Sequence, residues 1–184
     1  MDLTGKLLIA MPGMEDPRFE HSVVFLCSHG EDGAMGLIIN KPAPDVRVRD
    51  LLVQLEIEPV ASDADEAVLF GGPVEGARGF VLHTPEYQSK LYSMEVTGDF
   101  AMTATLDVLE DLATGTGPIK SLMMLGYSGW GPGQLEDEIA MNGWLTGEAD
   151  QSLVFDLPHD RKWSASLKGL GVDPLMLSAQ SGRA

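Results

Sequence analysis

A chain of 184 residues is long enough for one hydrophobic core and too short to need two, so a single domain spanning residues 1–184 is expected. Its 44% apolar and 22% charged composition excludes disorder as the default state. Against 28 Asp and Glu stand 12 Lys and Arg, a formal charge of −16, and the densest basic stretches are only pairs, Arg47/Arg49 and Arg161-Lys162, flanked by Asp50, Asp156 and Asp160; such a field repels phosphate backbones, so no nucleic-acid partner is expected.

The N-terminal run LLIAMP is too short for a secretory signal, and Asp2 precedes it where a basic residue would be wanted. No apolar run approaches the ~20 residues of a membrane helix. The single Cys27 excludes an internal disulfide and fits a reducing compartment. A cytoplasmic protein without a membrane partner is the expectation.

In chain order, GKLLIAM (Gly5–Met11) reads as a short buried strand, and Pro12, Gly13 and Asp16-Pro17 make the following segment a loop. HSVVFLCSH (His21–His29) is a β-branched and aromatic strand that returns through HGEDG into GAMGLIIN (Gly33–Asn40) as a hairpin. Period two puts Val23, Phe25, Cys27 and His29 on one face. NKPAPD then breaks the strand. Val46–Ile57 carries leucines at helical spacing, and Ala61–Ala67 is an acidic loop of small residues.

AVLFGGPV and Arg78–Thr84 read as strands joined around Gly71, Gly72 and Gly76, with Lys90–Val96 as another. TLDVLEDLATG is a helix opened by Thr105 and closed by Gly115. Ile119–Gly126 reads as a buried strand, PGQLEDEIAMN as a short helix and Trp144–Ala149 as a strand. Asp160–Gly171 is an amphipathic helix burying Trp163 and Leu167 and ended by Gly171. Hairpins first, then helices interleaved with strands, indicate α+β with a mixed sheet.

The most unusual stretch is GYSGWGPGQLEDEI (Gly126–Ile139). A phosphate cradle would need free amides at a helix start, but Glu136, Asp137 and Glu138 already complement that dipole. Gly126-Tyr127-Ser128-Gly129-Trp130 approaches a G-x-S-x-G nucleophile turn, yet its fifth residue is Trp and the helix begins only after Pro132. Architecture is the first reading, with Trp130 as a loop anchor, and a partner-facing Trp130 is the second.

Cys27, His29 and His83 are the residues best suited to chemistry. If the strands bearing them neighbour, they would suit a transition metal, or an imidazolium would activate the thiol. Against this, a lone Cys in an apolar strand is ordinarily a small buried hydrophobe. Lys41, an isolated cation in an acidic protein, would receive a carboxylate or pair with a neighbouring Asp.

Four blocks together resemble the YqgE/AlgH family of uncharacterised small bacterial proteins: LLIAMPGMEDPRFEHSVVFLCSHGEDGAMGLIINKP, LFGGPVEGARGFVLHT, LDVLEDLATG and LGYSGWGPGQLEDEIAMNGWL. The resemblance implies an α+β fold whose mixed, bifurcated β-sheet curls into a pseudo-barrel with packed helices. It transfers no catalytic residue and no cofactor, and none is expected. Some members are described as transcriptional regulators connected with alginate production. The functional expectation is a non-enzymatic module that binds a protein partner or small molecule, with an indirect regulatory role. Its surface is expected to include Asn40, Lys41, Gly71, Gly72, Ser128, Trp130 and Gln134. The alternatives are a thiol- or metal-dependent sensor or enzyme on Cys27, His29 and His83 and, against the acidic charge, a transcriptional regulator that binds nucleic acid directly.

Overall fold

The computed structural model describes residues 1–58 and 66–176. Among these residues ten strands form one sheet in the order β10-β1-β2-β3-β9-β6-β8-β7, with β4 and β5 branching from it. These strands are β1 (Leu7–Ala10), β2 (Val23–Gly30), β3 (Gly33–Ile38), β4 (Pro42–Arg47), β5 (Ala67–Phe70), β6 (Val74–His83), β7 (Met94–Thr97), β8 (Phe100–Thr103), β9 (Ser121–Trp130) and β10 (Trp144–Gly147). Among the described residues, the helices α1 (Val48–Gln54), α2 (Leu106–Thr114), α3 (Gln134–Ala140) and α4 (His159–Gly169) pack around them.

The sheet forks at β9. Its start pairs in parallel with β5 (Leu69↔Met124) and its end antiparallel with β3 (Met35↔Gly129), while β6 runs along the opposite edge. All other pairings are antiparallel, so the α+β reading with a mixed, bifurcated sheet holds. The sheet curls without closing into a hydrogen-bonded barrel. Phe25 on β2 and Phe100 on β8 nevertheless meet across the interior, ring centroids 4.8 Å apart, in a core that also holds Leu7, Ile9, Leu37, Leu82 and Met124. A π-helical turn, Ser152–Asp156, plugs one end, with Phe155 against Phe100 and Gln151 Nε2 donating to the Asp99 carbonyl (2.9 Å). A second core lies outside, where α1 and α2 cover Val68, Val81 and Met123. In a third, α3 covers Leu8, Val24, Leu26 and Ile38.

Glycine stops α2 and α4 as the sequence suggests. At Gly171 (φ 73°) the chain bonds back twice, Gly171 N to Lys168 O and Val172 N to Leu167 O, satisfying carbonyls that α4 leaves open.

Several expectations change. β9 does not end at Gly126 but continues to Trp130, so Tyr127–Trp130 are strand rather than loop. The two prolines after Asn40 do not abolish pairing; they reduce β4 to an irregular strand touching β5 at Pro42↔Leu69 and Arg47↔Ala67. Only the end of Lys90–Val96 is strand, and β8 comes from FAMT, which carries no obvious alternation. Helix α1 is shorter than the Val46–Ile57 pattern, and Trp163 is half-buried. Most of the acidic loop at Ala61–Ala67 lies outside the described residues; Ala67 itself begins β5.

The largest correction concerns β2. Its register against β3 slips between Leu26 and Ser28, which pair with Gly36 and Met35. A bulge of one residue turns every later side chain to the other face. Cys27 points into the interior core, while His29 emerges on the side of α3.

Candidate functional site

Gly71 and Gly72 cross β9 at backbone contact. A Cβ on Gly72 would lie 2.1 Å from the Tyr127 carbonyl carbon, and one on Gly71 would lie 2.3 Å from Gly126 O. Gly126 (φ 75°) supplies the positive φ that lets β9 accept the crossing. Ser128 is fully buried beneath it, its hydroxyl donating to Gly71 O (3.2 Å). A buried strand serine that bonds a carbonyl is a structural tie, and the nucleophile-turn geometry is absent.

Beyond the crossing, α3 receives the end of β9. Glu138 accepts from both indole N–H groups, Trp130 Nε1 at 2.8 Å and Trp144 Nε1 at 2.9 Å, and from Gln134 Nε2 at 3.1 Å. Gln134 Oε1 accepts from Gly131 N, fixing the turn into the helix. On the same helix Glu136 meets His29 Nε2 at 2.6 Å, while His29 Nδ1 accepts from Leu3 N. That second bond leaves the proton on Nε2, which therefore donates to Glu136. The His29 contact holds the Glu136 carboxyl below its usual range, after the larger effect of a backbone amide. Met14, Phe19, Trp130, Met141 and Trp144 surround a cleft of about 460 Å³, with Arg18, Gln134 and Glu138 at its polar edge.

Asn40 and Lys41 neighbour this region in structural roles. The Asn40 amide imitates a strand, accepting from Val23 N (2.9 Å) and donating to His21 O (2.8 Å). Lys41 Nζ donates to Arg18 O (3.2 Å), and desolvation pushes its pKa down.

On the other side of Val74, Gly129 and Trp130, the unplugged end of the curled sheet opens as a cavity of about 680 Å³. Met35 from β3, Phe80 from β6, Met94 from β7, Met102 from β8 and Tyr127 from β9 form its walls. Arg78 stands at the rim, its guanidinium 5.2 Å over the Phe80 ring and Nη1 3.4 Å from Glu75 Oε2. The two hollows share Val74, Gly129 and Trp130 as a common ridge.

The structure does not bring Cys27, His29 and His83 together. Cys27 is buried among apolar side chains, and that burial pushes its thiol up to about 12. His83 is fully buried on the α2 side of β6, its Nδ1 donating to Thr84 O (2.8 Å) and its Nε2 accepting from Thr103 Oγ1 (2.7 Å). Desolvation lowers its pKa, consistent with a neutral ring. Among the described residues no group of three or more His, Cys, Asp or Glu is placed to hold a metal ion. No described helix is long and apolar enough to cross a membrane.

The sequence profile of the AlgH-like family matches residues 7–175. The chain belongs to the AlgH-like family. It is 65% identical to a UPF0301 protein of Ruegeria pomeroyi over the whole of both chains. It is similar to the solution structure of the AlgH protein from Pseudomonas aeruginosa, with a TM-score of 0.81 and 44% identity, covering 100% of this chain and 97% of that one. A crystal structure of protein DIP2367 from Corynebacterium diphtheriae, 20% identical, shares the fold at a TM-score of 0.76 over 96% of this chain and 91% of that one.

Within this AlgH-like fold, Trp130 and Gln134 reach a cleft, whereas Gly71, Gly72, Ser128 and Asn40 hold backbone together. The sequence suggested only a helix-dipole role for Glu138, not its bonds to two indoles, and did not place the methionine-lined mouth or the burial of Lys162. Lys162 is fully buried on α4, its Nζ donating to Ile39 O (2.9 Å) and His159 Nδ1 (3.0 Å). Ten methionines were the available signal for an adaptable apolar lining. Nothing local marks Lys162, because lysines beside tryptophan on amphipathic helices are ordinarily solvated.

Proposed function

We propose that the chain is a single-domain, non-catalytic, cytoplasmic binding module that takes a small apolar ligand into the open end of its curled sheet. The carrying observation is the 680 Å³ hollow lined by three methionines and four aromatic side chains, Phe80, Tyr92, Tyr127 and Trp130. Mouths of curled sheets are common ligand sites, and this volume lies within the roughly 300–1,000 Å³ range of small-molecule pockets. Trp130 takes part as the wall between the mouth and the neighbouring cleft. Any regulatory role is indirect, through ligand or partner, because the −16 charge opposes contact with nucleic acid.

A protein partner is the second reading, favoured by Met141, which is 81% exposed at the edge of the 460 Å³ cleft. Native mass spectrometry after gentle purification distinguishes the two. A retained small mass in the wild type that disappears when the mouth wall is filled by Met94→Trp, with an unchanged circular dichroism spectrum, supports the mouth. A retained mass unaffected by that filling substitution would place the ligand elsewhere.

A further inference from the structure

Resting on the reading of the mouth as a binding site, we propose that its ligand is an amphipathic monoanion, an aliphatic tail ending in one carboxylate. The walls that a tail would meet include Met35, Met94, Met102, Phe80 and Tyr127, none of them charged. Methionine thioethers reshape around flexible chains at little cost, which suits a tail better than a rigid polar ring system. Charge enters only at the rim, as Arg78 and Glu75.

Arg78 decides the sign of the head group. Its guanidinium carries five N–H donors, and its Glu75 contact is a single long one at 3.4 Å. Stacking at 5.2 Å over Phe80 holds the group at the lip. A ligand carboxylate there would gain the paired bonds that a guanidinium fork offers. A cationic head would have to approach a ring face already carrying Arg78. The net charge of −16 opposes an anion at long range, but screening over about 8 Å at physiological salt leaves the local fork dominant.

The test uses the full chain and displacement of the fluorescent probe 1-anilinonaphthalene-8-sulfonate by hexanoate, octanoate and decanoate, by the matching alcohols and by the matching alkyltrimethylammonium ions. Affinity is expected to rise about fourfold per added methylene, and carboxylates to bind at least about tenfold tighter than alcohols of equal length. Arg78→Gln should erase that difference and leave alcohol affinity within about twofold, the alcohols reporting that the site is still folded. Equal binding of carboxylate and alcohol by the wild type, or tighter binding of the ammonium series, overturns the anion assignment and leaves the mouth reading standing. Absence of any length-dependent displacement overturns both.

Discussion

Lys162 offers the sharpest physical test of the fold. Its ammonium is fully buried with a carbonyl and an imidazole as partners, and desolvation lowers its pKa from 10.5 to about 8. The unfolded chain therefore holds this proton more tightly than the folded one, so the site opposes folding at neutral pH. At pH 7 the gap of about 2.5 units corresponds to about 3 kcal/mol of opposition. By pH 10 the folded group is neutral and the unfolded one partly so, which leaves about 1 kcal/mol. Wild-type stability from this group thus rises with pH between about 8 and 10.5. Lys162→Met removes the charge but also a hydrogen bond to Ile39 O, a loss of about 2 kcal/mol. The variant should be about 1 kcal/mol more stable than wild type at pH 7 and about 1 kcal/mol less stable at pH 10. Urea unfolding of both proteins at the two pH values measures this. A wild-type-minus-variant difference that stays constant from pH 7 to 10 would refute a depressed, uncompensated Lys162.

The tryptophan clamp predicts that Glu138→Ala, which strands two indole N–H groups, costs about 2–3 kcal/mol and red-shifts tryptophan emission; unchanged emission and midpoint would contradict it. Gly72→Ala places a methyl against the Tyr127 carbonyl and should cost more than about 4 kcal/mol or prevent folding, read by circular dichroism, whereas Gly76→Ala at an open position should be tolerated. Burial lowers the His83 pKa in the folded state, so wild-type stability should fall as pH drops below about 6.5, and His83→Gln should flatten part of that slope in pH-dependent unfolding. Cys27, its thiol raised to about 12, should react with an aromatic disulfide reagent only as fast as the chain opens, so fast labelling of the native protein would be a failure of the account.

Hydrophobic pattern carried the fold a long way. Continuous apolar runs marked β1, β2 and the first half of β9, and glycines marked the ends of α2 and α4, because burial and positive φ are written in residue type. What failed depends on partners distant in sequence. The bulge at Cys27 exists because β3 offers one residue where β2 has two, and it alone sends His29 to Glu136 instead of toward Cys27. The extension of β9 to Trp130 depends on β3 pairing with a segment whose glycines read as loop. Of the expected surface, Trp130, singled out by its type, lies buried in the core beneath α3 and only edges the two hollows, whereas Gln134 is exposed. Gly71, Gly72 and Ser128 looked like the same surface because glycine serves both ligand approach and backbone crossing, and only the contacts separate these uses.

Methyl NMR with ¹³C-labelled methionine tests the central claim most directly, since the ten methionines report from every face of the protein. Titration with decanoate should shift the Met35, Met94 and Met102 methyls saturably and together, with Met1 and Met176 unmoved. Shifts confined to Met14 and Met141 would move binding to the neighbouring cleft, and an unchanged spectrum would contradict a ligand site at the open end of the sheet.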